Sequence, residues 1–110
     1  MTIRQIIVSC NSTAEASSIG KSLLKKRLVV CYDVLPKVSS GFYWPPKKNK
    51  MASGKGAYLI GMTLPRHIAA AKKLIISKHS DKVPFIGAQD VHEVSQEYYR
   101  WLTAELRPHA

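Results

Sequence analysis

The most constraining feature of the sequence is the stretch 27–44, RLVVCYDVLPKVSSGFYW. It is rich in β-branched and aromatic residues, which favour a half-buried strand. At 18 residues it is far longer than a typical strand of about 5–6 residues. Pro36 lacks a backbone N–H, so we predict that the strand breaks there and that its second half leaves the parent sheet to pair elsewhere. A strand that outgrows its own domain usually needs a partner.

The remaining pattern predicts alternating strands and helices around this long strand. Residues 2–10 form a short apolar strand, and Ser12 with Glu15 makes a capping box that opens an amphipathic helix over 12–26. A basic, turn-rich loop over 45–56 precedes a returning strand over 57–63. A helix over 65–78, a strand over 83–94 broken at 87–90, and a closing helix after Ser95 complete the chain.

This order predicts an α+β, ferredoxin-like βαββαβ fold with an antiparallel sheet, a long β-hairpin and an extra C-terminal helix. We expect a single domain that covers residues 1–110. The two main helices cover only one face of such a sheet. The other face needs cover, so we predict a homo-oligomer.

Charge and hydropathy limit the function classes. With 17 Lys and Arg against 7 Asp and Glu, the net charge is +10, which suits either an anionic partner or a solvated, like-charged surface. The lysines are dispersed with one local cluster, so we favour the solvated surface and disfavour nucleic acid as a partner. No run of about 18 apolar residues predicts a membrane span, and the N-terminal apolar segment is too short for a signal peptide. These features predict a soluble, cytoplasmic protein.

The two cysteines do not indicate a disulfide framework in a chain without a signal peptide. Cys10 ends the first predicted strand and Cys31 lies early in the long one. Both positions suit buried thiols that pack as small hydrophobic groups, and both also suit soft metal ligands. No nucleophile motif or activated pair can be identified, so the sequence predicts a protein that is not an enzyme.

Several segments resemble the CutA family of divalent-cation tolerance proteins. The resemblance rests on 31–40, CYDVLPKVSS, with Leu23-Leu24 before it and Tyr43-Trp44 after it. It extends to Cys10 in the first strand, to His79 with Val83-Pro84 before the fourth strand, and to Trp101 in the closing helix. The matches run in order and at family-like spacing over nearly the whole chain.

The resemblance implies a homotrimer in which each long hairpin reaches over its neighbours, with a role in tolerance and binding of divalent metal ions, chiefly copper. It implies metal ligands at Cys10 and His79, with Cys31 as a softer candidate; Asp81 is a possible oxygen ligand. No cofactor is obligatory. The alternative is a PII-like trimeric signalling or scaffold module that binds an anionic ligand or partner at its intersubunit clefts.

The chain also departs from the family pattern. Phe85 stands where members often have an acidic residue after the proline of the fourth strand. The hairpin tip carries Pro45 and Pro46 and is basic where the family tip is acidic.

Overall fold

The computed structural model describes residues 1–107 and has the predicted α+β element order. The four strands are β1 (Ile3–Cys10), β2 (Cys31–Tyr43), β3 (Met51–Thr63) and β4 (Ile86–Val91). The helices are α1 (Thr13–Lys25), α2 (Ile68–Lys78), which a 3₁₀ turn over Pro65–His67 precedes, and α3 (Gln96–Glu105). No helix in residues 1–107 combines the length and the apolar character that crossing a bilayer requires.

The four strands form one antiparallel sheet in the order β2-β3-β1-β4. β1 is central: Val8 pairs with Leu59 of β3 on one side and with Ile86 of β4 on the other. β2 and β4 are therefore the edge strands. This is the strand arrangement predicted for two split βαβ units.

Successive side chains of a strand point to opposite faces, which gives the sheet two different cores. On the first face, α1 and α2 cover Ile6 and Val8 of β1 together with Leu59 of β3. On the second face, Leu102 and Leu106 pack with Ile3 near one end of the sheet. The C-terminal helix thus covers only part of the second face.

The long strand differs from its prediction in two respects. It begins at Cys31, and it runs through Pro36 without leaving the sheet, because β3 remains its partner as far as Tyr43. The prediction that the second half pairs elsewhere is therefore wrong within this chain. A register shift between Lys37 and Ser40 absorbs the irregularity, and an edge strand tolerates a proline because one side of its backbone needs no partner.

The other two corrections concern strand lengths. β3 begins at Met51, so half of the predicted basic loop is strand and only residues 44–50 connect β2 to β3. β4 is shorter than predicted and has no break, since Gly87 pairs directly with Ile7 of β1. The ring of Phe85 lies beside Gly87 and occupies the space that a side chain there would take.

Candidate functional site

Cys10, Glu15 and His79 meet at the end of β1. One potential ligand atom from each residue, a thiol sulfur, a carboxylate oxygen and an imidazole nitrogen, lies within 4.8 Å of the other two. Cys10 is the last residue of β1, Glu15 lies in the first turn of α1, and His79 follows the last residue of α2. The strand-to-helix connection of two residues therefore brings Glu15 back over Cys10, while α2 delivers His79 from the other side.

Glu15 is held in place by backbone hydrogen bonds. Its Oε1 accepts the Asn11 N–H at 2.9 Å and its Oε2 accepts the Ser80 N–H at 2.9 Å. Its own N–H donates to Oγ of Ser12, as the capping box predicts. Burial opposes ionisation of Glu15, but the hydrogen bonds from Asn11 and Ser80 and the proximity of His79 lower its pKa. The carboxylate is therefore ionised at neutral pH.

His79 has a fully buried side chain with both ring nitrogens in hydrogen bonds. Asp81 N–H donates to Nδ1 at 2.9 Å, so Nδ1 is the acceptor and Nε2 carries the proton. Nε2 in turn lies 2.7 Å from the carbonyl oxygen of Ser9 and donates to it. The same Nε2 is 3.7 Å from a carboxylate oxygen of Glu15. A metal ion that binds His79 must replace one of these hydrogen bonds.

Cys10 is almost completely buried, and its thiol is a poor acid. Burial, followed by the negative charge of Glu15, raises its pKa to about 11, although Lys37 acts in the opposite direction. Gly56 of β3 packs against the Cys10 carbonyl so closely that a side chain at that position would collide with it. The thiol is thus protonated and tightly enclosed at neutral pH, and binding a metal as thiolate would release its proton.

Asn11 connects this site to the segment that follows α2. Its Nδ2 lies 2.8 Å from Oγ of Ser80 and 3.0 Å from Oδ1 of Asp81. The Asp81 carboxylate also raises the pKa of Cys10, so it is close enough to act on the thiol electrostatically. Glu15, however, is the carboxylate that joins Cys10 and His79 in the cluster.

Cys31 does not join Cys10 and His79. It pairs with Met62 of β3, whereas Cys10 pairs with Ala57, five residues away along the same strand. That offset corresponds to about 17 Å, and the two side chains point to opposite faces of the sheet. The Cys31 sulfur lies instead 3.4 Å from the hydroxyl of Tyr98 in the second core.

Glu15 is the residue of the cluster that the sequence did not identify as a ligand. Its spacing from Ser12 fits a capping box, and that explanation was sufficient. The available signal was its position: an acidic residue in the first helical turn after a strand that ends in cysteine lies next to that cysteine.

The sulfur, nitrogen and oxygen donors of this cluster form a mixed set suited to zinc or copper. Each donor, however, is engaged in the structure. The thiol holds its proton, the imidazole has two hydrogen-bond partners, and the carboxylate accepts two backbone N–H groups. Metal binding at this position therefore requires a proton to leave and hydrogen bonds to be exchanged.

Comparison with known proteins identifies relatives over nearly the whole chain. Residues 5–105 match the family described as CutA1 divalent ion tolerance protein. The protein CutA homolog of Danio rerio is 24% identical over 97 residues, covering 88% of this chain and 63% of the relative, so the chain spans less than two thirds of that protein. The divalent-cation tolerance protein CutA of Thermus thermophilus is 25% identical over 97 residues, which cover 88% of this chain and 91% of the relative.

Solved structures agree in fold. The periplasmic divalent cation tolerance protein CutA from Archaeoglobus fulgidus superimposes with a TM-score of 0.87 at 25% identity, covering 97% of this chain and all of that one. The four-stranded antiparallel sheet and three helices thus match the family architecture. These relatives are named for ion tolerance, which favours the metal interpretation over the PII-like alternative.

Proposed function

Because this chain belongs to the CutA1 divalent ion tolerance protein family, we propose that it is a homotrimeric protein that binds divalent metal ions, chiefly copper, and contributes to metal tolerance. The proposed ligands are Cys10 and His79, with Glu15 as the oxygen donor. The observation that carries the proposal is that ligand atoms of all three lie within 4.8 Å of one another. We assign the protein no catalysed reaction.

The chemistry of the three side chains supports copper or zinc over harder ions. A thiolate and an imidazole are soft and borderline donors, which Cu and Zn prefer, whereas Mg²⁺ and Ca²⁺ prefer oxygen ligands. Glu15 supplies a negative charge without releasing a proton, because its pKa is lowered. Cys31 is left out of the proposed site, since it lies on the other face of the sheet.

The homotrimer is supported by the uncovered part of the second sheet face. Ile7 pairs with Ile60, and Leu35 pairs with Tyr58, so these four side chains form one apolar patch. Leu35 is 46% exposed and Tyr58 is 42% exposed in the single chain. A patch of this kind on a sheet face is typical of a surface that a second copy covers.

The site is tested by titrating the protein with Cu²⁺ and Zn²⁺ and measuring binding by native mass spectrometry. The Cys10→Ala, His79→Ala double variant should lose stoichiometric binding, and Cys31→Ala is the matched control that should keep it. Titration with Co²⁺ adds a specific readout, because thiolate ligation produces a sulfur-to-cobalt absorption band. Unchanged copper affinity in the double variant would refute the proposed site.

Assembly is measured separately in the same experiment. The mass of the unmodified protein reports whether three copies associate, independently of metal. A trimer that binds no metal would contradict the metal proposal while leaving the assembly intact, whereas a stable monomer would contradict the assembly.

A further inference from the structure

The tip of the β2–β3 hairpin, residues 42–51, combines exposed apolar side chains with exposed lysines. Phe42, Tyr43, Trp44 and Met51 are 48%, 69%, 60% and 84% exposed. Large apolar side chains concentrated at one end of a protein 48 Å long are an unusual use of surface. We refer to residues 42–51 as the hairpin tip.

The apolar side chains of the hairpin tip lie on both faces of the two-stranded ribbon. Tyr43 and Met51 are paired across the strands, so they share one face. Phe42 pairs with Ala52 on the other face, where its ring lies beside Gly54. A platform for stacking a nucleic-acid strand would need its aromatic rings on one side. A ribbon with apolar groups on both sides instead suits immersion in an apolar medium.

The charge of the hairpin tip has one sign. Lys47, Lys48 and Lys50 are exposed, and the sequence has no acidic residue between Asp33 and Asp81. These lysines form no salt bridge with any residue that the structure describes, where the carboxylate partners are Arg4, Arg27 and His79. The tip is therefore complementary to an anionic surface.

The backbone of the hairpin tip has few free donors. Trp44 N–H donates to the Lys50 carbonyl at 3.0 Å, Lys48 N–H donates to the Pro45 carbonyl at 3.4 Å, and Pro45 and Pro46 have no N–H. Internal pairing lowers the cost of placing a backbone in a less polar medium. The same pairing leaves few N–H groups for the backbone cradle that often binds phosphates.

We propose that the hairpin tip binds the surface of a membrane that contains anionic lipids. Trp44, Tyr43 and their apolar neighbours enter the boundary between headgroups and acyl chains, where amphipathic aromatic rings are favoured. The three lysines contact the anionic headgroups. This is peripheral attachment through a loop, and it is independent of the metal site.

The experiment uses the full chain and vesicles of phosphatidylcholine with or without phosphatidylserine. In a Trp101→Phe protein, Trp44 is the only tryptophan and reports insertion by a blue shift of its emission. Binding should require phosphatidylserine and should weaken with added salt. The Lys47→Gln, Lys48→Gln, Lys50→Gln variant should bind about 100-fold more weakly, at about fivefold per lysine.

The matched control is Lys72→Gln, Lys73→Gln, Lys78→Gln, which removes the same charge from exposed positions of α2. It should bind vesicles nearly as tightly as the unmodified protein. Equal weakening in both triple variants, or vesicle binding without a shift in Trp44 emission, would overturn the proposal. So would a Trp44 emission already blue-shifted in the free trimer and unchanged by vesicles, because a neighbouring copy would then occupy the tip. Tighter binding of a single-stranded oligonucleotide than of vesicles would also overturn it.

Discussion

Metal binding at Cys10 should depend steeply on pH. With a pKa of about 11, about 1 in 10,000 of the Cys10 thiols is ionised at pH 7, compared with about 1 in 100 for a thiol at its ordinary pKa of 9.0. Burial in this site thus lowers the apparent metal affinity at neutral pH about 100-fold, or about 2.7 kcal/mol. Glu15 adds no proton to this balance because it is already ionised.

The sign of the dependence follows from proton release. The protonated thiol persists until the pH approaches about 11, so a metal ion competes with a proton at all lower pH values. Affinity for Zn²⁺ should rise about tenfold for each pH unit between about pH 7 and pH 9. Zn²⁺ is the suitable probe because it does not oxidise thiols.

Calorimetry in buffers of different ionisation enthalpy measures the number of protons released on Zn²⁺ binding. We expect about one proton per site in the unmodified protein and in Cys31→Ala, and none in Cys10→Ala. A pH-independent affinity, or release of a proton that persists in Cys10→Ala, would show that Cys10 is not the thiolate ligand.

Three further predictions concern the framework of the site and the open sheet face. Glu15→Gln should lower the free energy of unfolding by about 1–3 kcal/mol in a urea titration, because the neutral amide accepts two backbone N–H groups less well than the carboxylate. Gly56→Ala should lower the thermal melting temperature, at a cost of about 1–3 kcal/mol, since the new methyl group collides with the Cys10 carbonyl. Leu35→Asp should shift light-scattering mass toward the monomer, because it places a charge in the exposed apolar patch.

Matched variants provide the controls for these predictions. Gly41→Ala should leave the melting temperature nearly unchanged, because the nearest atom to its new methyl group is 3.9 Å away. Ile76→Asp places the same charge at an exposed position of α2 and should leave the mass unchanged. Equal effects in Gly41→Ala and Gly56→Ala, or a loss of assembly in Ile76→Asp as well, would contradict the reasoning. A fully stable Glu15→Gln protein would mean that its hydrogen bonds contribute little.

Much of the fold was predictable because local signals and the global arrangement agree. The Ser12 cap and the apolar stripe of α1 set that helix to within one residue at each end. The course of β2 through Pro36 was not predicted, because a proline signals a break unless the strand lies at an edge and can bulge. The bulge depends on pairing with β3, which is a tertiary contact.

The candidate site was predictable only in part. The resemblance pointed to Cys10 and His79, and the structure places them together. Glu15 was missed because one residue performs two tasks, capping α1 and contacting the cluster. The separation of Cys31 from Cys10 depends on strand register and on which face each side chain takes, and neither is visible when cysteines are simply counted.

The double engagement of His79 has a consequence for discrimination between ions. Its imidazole already binds Asp81 N–H and the Ser9 carbonyl, so an arriving ion gains only the difference between its own bond and the hydrogen bond that it displaces. For Mg²⁺ or Ca²⁺, which bind imidazole weakly, that difference is unfavourable, whereas for copper it is favourable. The intramolecular hydrogen bonds therefore act as a competitive filter: abundant hard cations are excluded by the ground state of the protein itself, without any need for a size-selective cavity.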